Sequence, residues 1–98
     1  MKNFGFEWDD AKAGANLRKH GVSFEEAASV FSEWGAPVNG DVEHSSGEDR
    51  FIIVGTSERN RLLIVAFTYR DEETVRIISA RRASRREQRI YEQEKHTC

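Results

Sequence analysis

The chain has 98 residues, of which 38% are hydrophobic and 33% charged, an ordinary balance for one globular domain and not that of a disordered chain. No apolar run approaches the ~20 residues of a membrane span, and the start, MKNFGFEWDD, lacks an apolar signal core, so the chain reads as cytoplasmic. Its single cysteine, Cys98, excludes an internal disulfide, and no Cys/His spacing points to zinc or another metal.

In chain order, Phe4–Trp8 reads as a short edge strand. Asp9 is an N-cap for a helix over Asp10–His20, and Gly21 ends it, because glycine takes a positive φ without a Cβ clash. Ser23 and Glu26 form an S-x-x-E capping box opening a second helix. Phe24, Ala27, Ala28 and Phe31 give that helix one apolar face, and it is expected to end near Trp34–Gly35. Four strand-like runs follow: Ala36–Glu43, Phe51–Ser57, Leu62–Tyr69 and Thr74–Arg81. The loop Val42–Arg50 reads as exposed. The links ERNR and RDEE are short, which favours an antiparallel meander. The near-continuous apolar strands predict a sheet covered, in part, on both faces. Ser84 and Glu87 form another S-x-x-E box, opening a last helix to about Lys95 that should dock through Ile90 and Tyr91. The expected fold is α+β: two N-terminal helices, a meander of about four strands and a C-terminal helix.

Charge is unevenly placed. Residues 1–49 carry four basic and ten acidic side chains, a net of −6, whereas residues 76–98 carry seven basic and three acidic, a net of +4. This favours one local anion-binding face over a general nucleic-acid coat. Arg85, Arg86 and Arg89 fall at the start of the last helix, the positive end of its dipole, where cations are disfavoured. A solvated helix face and a binding face account for them about equally. Arg76 and Arg81 sit in an apolar strand and need a partner there, either an N-terminal carboxylate or a bound anion. Lys12, Asn16 and His20 lie on one face of the first helix, a set suited to phosphate, although a histidine at a helix end is also favoured by the dipole alone. Trp8 reads as a core residue or, at an edge, as a platform for a base.

Two segments resemble a known family. WDDAKAGANLRKHGVSFEEA is similar to the W-D-x-x-K-x-x-x-N-x-x-K-H-G-V-x-F-x-x-A opening of the BrnT toxins, and RIISARRASRREQRIYE to their ending, R-x-I-S-A-R-x-A-x-x-x-E-x-x-x-Y. Arg50 before FIIVG and the run LLIVAFTYR fit the middle. The resemblance implies a compact RelE-like fold and the toxin half of a bacterial type II toxin–antitoxin pair. It further implies RNA cleavage without a metal or cofactor, inhibition of translation, and a BrnA-like ribbon-helix-helix antitoxin. DNA would be met only through the antitoxin complex. Trp8, Lys12, Asn16, Lys19, His20, Arg50, Arg76, Arg81, Glu87 and Tyr91 fall on motif positions.

On this basis Lys12, His20, Arg76 and Arg81 are the expected catalytic residues of an endoribonuclease of the mRNA-interferase type. Trp8, Asn16, Lys19, Arg50 and Tyr91 are expected to contact RNA, and Arg85, Arg86 and Arg89 the antitoxin. The chemistry is attack of a ribose 2′-hydroxyl on its own 3′ phosphate, which needs proton carriers and cations. The alternative is a non-catalytic subunit that acts only by holding a DNA-binding partner.

Overall fold

The computed structural model describes residues 5–32, 38–39 and 50–96. Strand β1 (Gly5–Glu7) leads into helix α1 (Asp10–His20). Asp9 caps α1 by accepting the Lys12 N–H at 2.9 Å, and Gly21 closes it at φ 70° with its N–H on the Leu17 carbonyl. Helix α2 (Phe24–Ser29) gives way to a 3₁₀ turn at Val30–Ser32. Its capping box is only half made. Ser23 Oγ accepts the Glu26 N–H at 3.0 Å, while the Glu26 carboxylate turns to the sheet. There it takes the Ser57 hydroxyl at 2.6 Å, Arg61 Nε at 2.9 Å and Arg61 Nη2. Arg61 also donates to the Gly21 carbonyl at 3.2 Å, fastening the end of α1.

Strands β2 (Val38–Asn39), β3 (Phe51–Thr56), β4 (Leu62–Asp71) and β5 (Thr74–Arg82) precede helix α3 (Arg85–His96). The sheet order is β1-β5-β4-β3-β2. The expected antiparallel meander is present and gains a parallel edge strand, β1 on β5. The expected strand at Ala36–Glu43 lies outside the described residues except at Val38–Asn39, as do the helix end at Trp34–Gly35 and the loop Val42–Arg50 up to its last residue.

Helices α1 and α2 pack against β5, and the core forms between them and one sheet face. Phe24, Val22, Val30, Leu63, Val65, Phe67, Val75 and Ile77 are the large buried side chains there. On the other face Ile52, Val54, Ile64, Ala66 and Ile78 stay half-buried, so α1 and α2 cover one face only. The β5 register decides which residues join that open face. Val75 and Ile77 point into the core, but the next buried residue is Ala80, because β5 carries an extra residue between Ala66↔Ser79 and Phe67↔Ile77. This bulge inverts the alternation. Without it Arg81 would follow Val75 and Ile77 inward; with it, Arg81 and Arg76 share the open face.

Candidate active site

Where β5 bulges, the open face holds a shallow cleft of about 150 Å³. Ile52, Ile64 and Ala66 form an apolar floor, and His20, Ser79 and Arg81 supply its polar groups. The volume is well below the roughly 300–1,000 Å³ of small-molecule pockets. His20 reaches the cleft because α1 lies along the edge of β5. Asn16 holds it there: its Nδ2 donates to the Ala80 carbonyl at 2.8 Å and to the Val22 carbonyl at 2.9 Å, and its Oδ1 accepts the Ala80 N–H at 3.2 Å. The side-chain amide thus takes the place of a neighbouring strand's peptide group on an edge that would otherwise be unpaired. Asn16 is 7% exposed, and both its amide hydrogens are engaged. Asn16 is thus a structural pin that places His20, with its amide spent on the backbone.

Arg81 is held by α3. Its Nη1 and Nη2 each meet one oxygen of Glu87 at 2.8 Å, a two-pronged ion pair. Glu87 also accepts the Ser84 N–H at 2.8 Å, and its own N–H reaches Ser84 Oγ at 3.1 Å, completing the capping box. The Arg81 guanidinium, then the Ser84 N–H, bring the Glu87 carboxyl down to about 2, and Glu87 keeps the Arg81 pKa raised. Sequence reasoning assigned neither Glu87 nor Ser79 to the site. The capping box was the available signal for Glu87; Ser79 depends on the bulge and had none.

Arg76 is elsewhere. It shares Glu7 Oε2 with Arg70, each at 3.0 Å, and lies about 15 Å from Arg81 at ~3.3 Å per strand residue. Its guanidinium is turned to Glu7, so the structure does not bring Arg76 to the cleft. Lys12 is exposed and about 12 Å from His20 along α1, at 1.5 Å per residue, so the structure does not bring it to the cleft either. Trp8 packs edge-on against Phe24, centroids 6.0 Å apart, at the margin of the core. Lys19 is exposed beside His20, and Tyr91 is half-buried on α3. Arg85, Arg86 and Arg89 are all exposed. Ile90 is 48% exposed, so α3 does not dock through it as expected. Among the described residues no three His, Cys, Asp or Glu side chains gather as metal ligands do, and no helix is long and apolar enough to cross a membrane.

The fold and the cleft together define a small α+β protein whose sheet presents an open face set with arginines and one histidine, the groups that recognise and work on phosphodiesters. Residues 8–87 match the family described as the ribonuclease toxin, BrnT, of type II toxin–antitoxin systems, and the chain belongs to that family. It is similar to the crystal structure of the Brucella abortus ribonuclease toxin BrnT, with a TM-score of 0.63 and 25% identity over 84% of this chain and 99% of that one. No curated protein sequence matches the chain.

Proposed function

We propose that this chain is the cytoplasmic endoribonuclease toxin of its pair and cleaves messenger RNA at the His20–Arg81 cleft, without a metal, to stop translation and growth. The observation that supports this most is the meeting of His20 and Arg81 on one cleft in a chain of the ribonuclease toxin family. The 2′-oxygen attacks phosphorus as its proton leaves; the bond from phosphorus to the 5′-oxygen breaks, and that oxygen takes up a proton. The products are a 2′,3′-cyclic phosphate and a 5′-hydroxyl. Arg81 carries the charge that grows on the phosphoryl oxygens. His20, at the cleft beside Arg81, serves one of the two proton transfers. The neutralising partner is a ribbon-helix-helix antitoxin that approaches Arg85, Arg86 and Arg89, and DNA is met only through it.

A second reading has one observation in its favour: Arg76 and Arg81 are both already paired to carboxylates of the same chain. A non-catalytic subunit that only holds a DNA-binding partner would need no more. Purified protein incubated with RNA, with and without EDTA, separates the two. Cleavage to cyclic-phosphate ends in EDTA supports the toxin; intact RNA under all conditions supports the binding subunit; cleavage that requires added Mg²⁺ overturns the metal-free chemistry.

A further inference from the structure

The end of the open face away from the cleft carries its own cluster of cations. The register sets Glu7 beside Arg76, and Arg76 beside Thr68; one step beyond the Phe51↔Phe67 pair, Arg50 falls beside Thr68. These positions continue the open-face alternation of Ile52 on β3, Ala66 on β4 and the residues flanking Val75 on β5. They form a row across four strands. Arg50 and Arg76 are two strands apart, about 10 Å at ~4.8 Å per strand. Arg70 joins from β4, since it and Arg76 both donate to the same oxygen of Glu7. Arg70 and Arg76 thus share one carboxylate, Glu7, and the β4–β5 turn sets Asp71, Glu72 and Glu73 exposed at the same end.

Arg50 supplies the sharper sign. Its Nε is buried and has no hydrogen-bond partner. A buried donor left unmade is costly, while Arg50 as a whole residue is only half-buried. Arg76, 42% exposed, and Arg70, 60% exposed, keep further donors open to solvent.

We infer that the Arg50–Arg76 row, with Arg70, is a second phosphate-binding subsite, which takes the backbone of a single-stranded RNA more than one nucleotide away from the bond cut at Arg81. The inference rests on the proposed cleavage at the cleft and extends it: the open face becomes a track with two phosphate anchors along β5. Glu7 sets its strength, because its carboxylate competes with the RNA phosphate for Arg70 and Arg76. The row gives affinity that grows with strand length, while the cleft supplies the reaction.

The test uses a 2′-O-methyl oligoribonucleotide of about twelve nucleotides, within the span such tracks hold, and a 2′-O-methyl dinucleotide, both uncleavable. Arg50→Ala and Arg76→Ala should each weaken binding of the longer strand roughly tenfold, as loss of a charge-assisted contact does. Each should also flatten the slope of log affinity against log salt by about 0.7, and the loss should shrink as the strand is shortened to the dinucleotide. Glu7→Gln should act in the opposite direction and tighten the longer strand roughly threefold, on the scale of an exposed ion pair released. A merely structural row would make all three variants weaker together. Equal losses on both lengths, no losses, or weaker binding by Glu7→Gln would overturn the inference. The cleavage reading fails separately: if Arg81→Ala and His20→Ala cut RNA as the parent does, the cleft is wrong, while the uncleavable strands still decide the row.

Discussion

Asn16 carries three buried hydrogen bonds that tie α1 to β5 and to the backbone after Gly21. Asn16→Ala leaves the Ala80 N–H and C=O unpaired and should cost about 2–4 kcal/mol. Asn16→Asp should also destabilise, because a carboxylate cannot donate to the Ala80 and Val22 carbonyls. Urea denaturation of both variants checks this; unchanged midpoints would return Asn16 to the RNA-contacting set. The residue also shows what a helical wheel conceals. Spacing correctly puts Lys12, Asn16 and His20 on one side of α1, yet which part of that side meets the sheet edge is a tertiary matter. Asn16 is buried there, His20 turns into the cleft, and Lys12 stays in water. Accordingly Lys12→Ala should reduce RNA cleavage far less than His20→Ala, measured as single-turnover rates; equal losses would bring Lys12 back into the reaction.

At the scale of elements, the helix ends were readable because their signals are local. Asp9, Gly21, Ser23 and Ser84 each act within four residues of the backbone they cap. The facing of β5 was not readable, since its bulge at Ile78–Ser79 is set by pairing with β4 and not by any glycine or proline. The exposure of Ile90 on α3 was not readable for a related reason. A capping box starts a helix but does not direct it, and α3 is fixed at its first turn through Glu87 and Arg81. This anchor has a pH signature. The Glu87 pKa falls from its ordinary 4.5 to about 2 on folding, so its stabilisation is complete above about pH 4.5 and is lost as pH falls toward 2. Glu87→Gln keeps the cap but not the ion pair. It should be less stable than the parent at neutral pH, and the difference should close between pH 4.5 and 2; a constant gap in urea midpoint across that range would exclude the linkage. The outer arginines of α3 belong to the partner in this account. Replacing Arg85, Arg86 and Arg89 with alanine should weaken antitoxin binding and make it less salt-dependent, with toxicity retained in cells that lack the antitoxin. Loss of RNA cleavage with normal antitoxin binding would reverse that division.

The whole molecule has a net charge of −2 and must therefore attract RNA locally. Its solution is geometric. Helices α1 and α2 and the aromatic core are gathered on one side of the sheet, and the bulge sends Arg81 to the side where Arg76 already lies. Glu26, buried and paired to Arg61, locks α2 to the β3–β4 hairpin and, through the Gly21 carbonyl, steadies the end of α1 that carries His20. Fold and site are joined at that point, so variants there must be judged by stability before activity. Arg81 also anchors α3 through Glu87, so Arg81→Ala is judged beside Glu87→Gln, which removes the same ion pair; with the Arg81 side chain 46% exposed, the stability cost should be small. The most direct measurement is the RNA cleavage rate of Arg81→Ala in EDTA beside its melting temperature. The account predicts a loss of about 10²–10³-fold, the usual cost of removing one group that stabilises developing negative charge, with melting within a few degrees of the parent. A variant that melts normally and still cleaves RNA at the parent's rate would contradict it.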